Sequence, residues 1–364
     1  MDRSPTVLGH DAILASERAP QRKLPVLQSL RCVAASLVVI DHAILRGVRK
    51  GAFGVGWEPA ASFAGLSGVF IFFVISGLIM YRTSAEDFGS GRGAARFVYR
   101  RVVRVVPLYW IATAIAAANH VTMLDFLPRL LRSLFFIPYV NDAGLAQPVL
   151  GVGWTLNYEM FFYTLFALAL LMPRRVGLPA LLLALVAVFF ARVANGGDPR
   201  TGIGFYGQPI LLLFAAGVVV GWAETRWPRW TRTGRPRTVI FGVLLVMAAL
   251  TLGSVRSGQV PGDWQLLLDV MAVGTVVVAT TAAVSGSSRL DRVLEAGGDA
   301  SYSTYLFHGF ILTALTKVWF ADPISRTWGS AVVFVAVAVL AANIGGYVLH
   351  RLIERPLTRA LRRF

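Results

Sequence analysis

Apolar runs of about 17 to 24 residues recur along this chain, and a run of that length is what a helix needs to cross a bilayer. Inside lipid a lone segment must satisfy its own backbone, so such runs can only be helices. Period-2 alternation is absent, which argues against an outer-membrane barrel. With 56% hydrophobic and 15% charged residues, the chain carries more apolar surface than a soluble domain could hide. The expected fold is all-α, a polytopic membrane protein of about ten transmembrane helices at 26–45, 62–81, 105–121, 150–172, 177–194, 205–223, 238–255, 265–284, 301–320 and 328–349. Residues 126–140 are apolar but short and bounded by Pro128 and Pro138, which predicts a re-entrant or interfacial piece.

In a soluble protein a net charge of +16 would invite a nucleic-acid reading. Here the basic residues sort by side instead. About 24 fall on the side of the N-terminus, in the loops around Arg96 and Arg232 and in the C-terminal tail, against about 10 on the other side. Both termini are therefore expected in the cytoplasm, with an even number of spans and no nucleic-acid partner. Three regions follow: a polar cytoplasmic tail at 1–24, a transmembrane domain at 25–350 and a basic cytoplasmic tail at 351–364. The first 24 residues lack a short apolar core with a cleavage site, so the first span is expected to stay as a signal anchor. Cys32 is the one cysteine and carries no redox information.

Within the first span, Arg31 and His42 stand eleven positions apart. That is about three helical turns, so both share one face, roughly 16 Å apart along the axis. Ionisable groups at such depth are costly unless they face a protein interior or a wet cavity. From spacing alone, Arg31 either snorkels to headgroups or holds an anion, and His42 is either a base or a hydrogen-bonded edge residue. Asp41 precedes it, but sequence neighbours on a helix point to different faces.

Further polar groups interrupt the apolar runs. Arg96, Arg100 and Arg104, spaced i, i+4 and i+8, would make one cationic stripe, with Arg101 beside it and Pro107 kinking or restarting the helix. Guanidiniums grip phosphate well, but the same stripe serves plain anchoring to lipid headgroups. Glu159, in Trp154-Thr-Leu-Asn-Tyr-Glu159, demands a partner if buried. Ser301 suits a helix cap, and His308 is a second imidazole in an apolar span. At Glu354-Arg355-Pro356 the proline should stop the last helix, and the pair before it could form a salt bridge. Ser76 and Gly77 fit close helix packing. The scattered histidines have no metal-ligand spacing, and no P-loop or dinucleotide fingerprint occurs.

Taken in order, these pieces resemble the acyltransferase-3 family of bacterial membrane O-acyltransferases, over about Leu24 to Pro356. The carriers are Arg31 with His42, Phe72-Phe-Val-Ile-Ser76-Gly77, Arg100-Arg101-Val-Val-Arg104, Trp154 through Glu159, Ser301-Tyr302-Ser303 through His308, and Glu354-Arg355-Pro356. The likeness is to stand-alone members without an appended hydrolase-like domain. It implies O-acyl transfer in the bacterial inner membrane from acyl-CoA, commonly acetyl-CoA, to a saccharide hydroxyl, with no metal. By the same likeness His42 is base or acyl acceptor, and Arg31, Arg100, Arg101 and Arg104 bind the donor. Glu159 would orient acceptor or imidazole, with Asp41, Trp154, Tyr302 and His308 in support. The competing reading is a transporter or flippase for a lipid-linked sugar, with Arg31, Glu159 and His308 lining its path and no covalent change.

Overall fold

The computed structural model describes residues 25–118, 126–141, 144–226, 270–277, 288–322, 324 and 326–362. Among the described residues all regular structure is helical. In chain order the helices are α1 (Pro25–Arg49), α2 (Glu58–Ser84), α3 (Gly91–Ala117), α4 (Phe126–Leu134), α5 (Trp154–Leu170) and α6 (Arg174–Ala194). They continue as α7 (Gly202–Tyr206), α8 (Ile210–Arg226), α9 (Arg289–Asp299), α10 (Ser301–Trp319), α11 (Trp328–Leu349) and α12 (Arg355–Leu361). Among the described residues four stretches are long and apolar enough to cross a bilayer: Pro25–Arg49, Val55–Ser84, Arg174–Ala194 and Trp328–Leu361. The expected span at 238–255 lies outside the described residues, and of 265–284 only 270–277 is described, as helix.

Local chemistry explains where several helices begin. Ser90 caps α3 by accepting from the Gly93 N–H at 3.0 Å. Ser288 and Asp291 form a reciprocal capping box at the start of α9. Ser301 is not a cap: Ala300 occupies that position and Ser301 is the first helical residue.

Two proline expectations are corrected. Of the two alternatives for Pro107 the restart is excluded, for the arginine segment and the following apolar run form one 27-residue helix with Pro107 inside. The ring removes one N–H and crowds one carbonyl, a local cost that the packing on both sides of it must offset. At the other end, Pro356 does not stop the last helix. A π-helical turn, His350–Glu354, links α11 to α12, and Pro356 lies in the first turn of α12, where its missing N–H costs nothing. The apolar piece at 126–140 folds as the nine-residue α4 followed by irregular backbone. Tyr109 and Trp110 of α3 hold that junction by donating to the carbonyls of Ser133 (3.1 Å) and Leu134 (3.0 Å).

Helix α2 runs through the middle of the described bundle, packed on α1 and α8. The α2–α8 crossing is close because both surfaces are small there. A Cβ at Gly77 would meet the Phe214 carbonyl, and a Cβ at Gly217 would meet the Val74 carbonyl. Phe214 then stacks on Phe162 of α5 with ring centroids 4.3 Å apart.

Helices α1 and α10 lie side by side in the same direction. Arg46, late in α1, donates to the Gly309 carbonyl (3.1 Å) and the Thr313 hydroxyl (3.0 Å) of α10. The backbone of Gln28, early in α1, touches Gly298 just before α10. One end of the bundle therefore gathers Arg31 with Ser301 and Tyr302, and the other gathers His42 with His308. A second apolar cluster, including Val39, Phe53, Phe320 and Phe334, packs the His42 end.

Candidate active site

A cavity opens among α1, α2, α3, α5, α8 and α10. Its charged wall is Arg31, Arg101, Arg104 and Glu159. Its apolar wall comes from α2 and α8, with Phe72, Phe73, Ile79 and Phe214 among the lining side chains.

Arg31 is buried against this cavity, so its guanidinium does not snorkel away to the surface. The expected i, i+4, i+8 stripe is corrected. Arg101 and Arg104, an i, i+3 pair, line the cavity, whereas Arg100 is exposed outside it. Arg96 is 3.6 Å from Asp87 in a local ion pair. On a helix 104 lies about 40° from 100 and about 60° from 101, to opposite sides, so it is the packing against the bundle that puts 101 inside and leaves 100 out. Arg101 lies over the Phe97 ring (5.6 Å), and its Nε is a buried donor with no partner.

Glu159 is held from two directions. Ser76 of α2 donates to its Oε1 at 3.2 Å, and Tyr163, one turn along α5, donates to the same oxygen. Tyr163 also hydrogen-bonds Arg101, so the carboxylate and the guanidinium are joined through one phenol. A fixed carboxylate among three guanidiniums offsets part of their charge. Glu354 adds another carboxylate nearby, within electrostatic range of Arg31. It accepts from Ser303 (2.6 Å) and lies 2.9 Å from His350 Nδ1, in place of the expected Arg355 bridge.

The cavity reaches Tyr302 and Tyr305 on α10. Tyr302 donates its only hydroxyl hydrogen to the Val105 carbonyl at 2.8 Å, and Trp154 packs edge-on against Tyr158 at 5.9 Å, off the cavity wall. Tyr305 hydrogen-bonds Thr155 (2.8 Å) and donates to the Val152 carbonyl (3.0 Å). Beyond Tyr305 lie two imidazoles. The Tyr305 and His308 rings are 6.2 Å apart, and those of His308 and His42 meet edge to face at 4.9 Å. His42 is thus not on the cavity wall with Arg31, but is joined to it through Tyr305 and His308.

His42 Nδ1 lies 2.9 Å from the Val38 carbonyl and 3.4 Å from Asp41 Oδ2. Asp41 is therefore a neighbour of the imidazole despite being adjacent in sequence. It reaches there because its carboxylate occupies the space a side chain at Gly65 of α2 would fill.

Sequence reasoning missed Ser76, Tyr163, Tyr305 and His350. The i, i+4 spacing of Glu159 to Tyr163, and of His350 to Glu354, is a signal that could have found two of them. Ser76 had none, since Ser-Gly inside an apolar helix looks the same whether it packs or binds. Among the described residues no cluster of His, Cys, Asp and Glu could hold a metal ion.

The sequence model for the family described as "Acyltransferase domain" (acyltransferase-3) matches residues 25–349. The chain is also 33% identical over 308 residues to the exopolysaccharide production protein ExoZ of Rhizobium meliloti (strain 1021), covering 81% of this chain and 90% of that protein. No solved structure matches it.

Proposed function

Because the chain belongs to the acyltransferase-3 family, we propose that this membrane acyltransferase moves an acyl group, acetyl above all, from acyl-CoA to a saccharide hydroxyl. The relative's name, an exopolysaccharide production protein, supports a cell-surface polysaccharide or its lipid-linked unit as the acceptor. The protein works as a multi-pass protein of the bacterial inner membrane.

The observation that carries this reading is the pairing of a cationic cavity with an imidazole pair at its far side. Arg31, Arg101 and Arg104 suit the phosphates of coenzyme A, and the apolar wall suits its uncharged arm. The thioester then points past Tyr305 toward His308 and His42. A sugar hydroxyl is a weak nucleophile at neutral pH, so a neutral imidazole must take its proton as it attacks. With its Nδ1–H held by Val38 and Asp41, His42 offers Nε2 as that base. The hydroxyl oxygen bonds to the thioester carbonyl carbon while its proton passes to Nε2. The tetrahedral intermediate collapses, the C–S bond breaks, and the imidazolium returns the proton to the coenzyme thiolate. Trp154 and Tyr302 are not the oxyanion donors of this scheme, since one lies off the cavity and the other has spent its hydrogen on Val105.

The test is His42→Ala in purified protein, with release of free coenzyme thiol and acylated product both measured. Loss of a general base lowers turnover by about 10²- to 10⁴-fold. The variant should keep the wild-type elution profile in detergent, and product formation at an unchanged rate would remove His42 from the chemistry. A flippase would move its sugar with no acyl-CoA consumed, so donor-dependent mass gain on the acceptor separates the two classes.

A further inference from the structure

A carboxylate set directly on a guanidinium takes two of its N–H groups at once, and those are the groups a phosphate would use. The cavity wall keeps the two apart with a phenol. Glu159, Tyr163 and Arg101 all line the cavity. Tyr163 donates to Glu159 Oε1 and accepts from Arg101, a double duty open to a hydroxyl with one hydrogen and two lone pairs. Ser76, reaching across from α2, donates to the same carboxylate oxygen at 3.2 Å.

The guanidinium is held on a second side. The Phe97 ring, one turn earlier on α3, lies 5.6 Å from its central carbon, and the same ring meets Tyr163 edge to face at 5.9 Å. Phe97 is itself buried, so the support is packed in place. Arg101 is thereby fixed by a ring face and a phenol, while its buried Nε still has no acceptor. A planar guanidinium held this way, with a donor left over, suits an anion that arrives from the cavity. The hydrogen bonds that Glu159 accepts from Ser76 and Tyr163 lead through the phenol to Arg101. His42 lies off this wall, beyond Tyr305 and His308.

Resting on the acyltransferase reading above, we propose that Tyr163 is a positioning residue for the donor, holding Arg101 toward a coenzyme phosphate, and that Glu159 acts through Tyr163 on the donor rather than on the acceptor. The phenol is a spacer. It keeps the carboxylate close enough to orient the guanidinium and too far to occupy its N–H groups. Neither side chain makes or breaks a covalent bond, and the proton of Tyr163 stays on its oxygen. Without the hydroxyl, Arg101 loses its orientation and Glu159 is free to pair with it in place of the phosphate.

The test is calorimetric titration of coenzyme A into the full chain in detergent, which needs no acceptor. Arg101→Ala should weaken binding about tenfold or more, as loss of a hydrogen bond to a charged group does. Tyr163→Phe keeps the ring and removes the hydroxyl, and it should weaken binding about fivefold or more. In the chain carrying both substitutions, the change at Tyr163 should add nothing, because its effect passes through Arg101. A merely structural part would cost the same factor in both backgrounds. Glu159→Leu should also weaken binding, and Glu159→Gln, whose amide oxygen still accepts from Ser76 and Tyr163, should recover most of the loss. The Glu159 pair carries the test by itself if Tyr163→Phe does not fold. Four results overturn the proposal: full affinity in Tyr163→Phe, an equal further loss in the Arg101→Ala background, full affinity in Glu159→Leu, or Glu159→Gln no better than Glu159→Leu. A wild-type chain that binds no coenzyme A strikes instead at the acyltransferase reading, so the two failures are told apart.

Discussion

Arg100 and Arg101 are neighbours in sequence, yet only Arg101 faces the cavity, together with Arg104. If these groups hold the donor's phosphates, their substitutions should separate. A charge-assisted hydrogen bond is worth about 1.5–3 kcal/mol, so Arg101→Ala and Arg104→Ala should each raise the KM for acetyl-CoA by roughly tenfold or more. Acceptor KM should hardly change. Arg100→Ala, exposed and outside the cavity, should shift donor KM by less than about twofold. Thiol-release kinetics at fixed acceptor check this, and three equal effects would reduce the cluster to membrane anchoring. Arg31 and His42 were legible from their spacing because both break an apolar helix on one face. Arg100 was misjudged because a stripe at i, i+4 looks sound on paper while the neighbouring helices decide which face is inside. Asp41 was named, but its reach to the imidazole depends on Gly65, 24 residues along the chain in a different helix and invisible to any local pattern.

The helices themselves were largely present in the sequence, since apolar length and turn chemistry act locally. What was not legible is how closely they cross. The Gly77–Gly217 contact sets α2 against α8 at backbone range and with it the side of the cavity that Phe73 and Phe214 supply. Forcing a side chain into a packed crossing costs about 1–3 kcal/mol or more, and here the obstacle is a carbonyl that cannot swing aside. Gly217→Leu should therefore lower the thermal transition in detergent clearly below wild type. Gly329→Leu, where nothing stands within 4 Å, should leave it nearly unchanged. Matching losses in both variants would detach stability from this crossing. The π turn at His350–Glu354 was equally hidden, because Pro356 looks like a stop until tertiary contacts draw the helix onward. That turn carries Glu354 to Ser303 and toward Arg31, a place for a carboxylate that a regular helix would have pointed elsewhere.

At the scale of the whole molecule, the division of polar groups along the bundle matches the division of basic residues along the sequence. Helix α1 begins beside the guanidinium cavity and ends beside the imidazole pair, so the orientation of this one helix decides which compartment each substrate comes from. In the orientation proposed from the basic loops, its N-terminus lies in the cytoplasm beside the coenzyme pool, and the His42 end faces the opposite compartment. A direct check is labelling of single cysteines in intact cells, in a Cys32→Ser background, with a thiol reagent that does not cross the inner membrane. Lys50→Cys, exposed just after α1, should label without permeabilisation. Arg92→Cys and Arg359→Cys, exposed near the start of α3 and in α12, should label only after the membrane is opened. In the proposed topology those last two must behave alike, because an even number of crossings would separate the chain's start from its end and α3 would begin on that same side. Labelling of Arg92→Cys from outside would turn the guanidinium cavity away from the coenzyme pool. Labelling of Lys50→Cys and Arg359→Cys from the same side would instead make the number of crossings odd, and a span would have to be removed from or added to the ten.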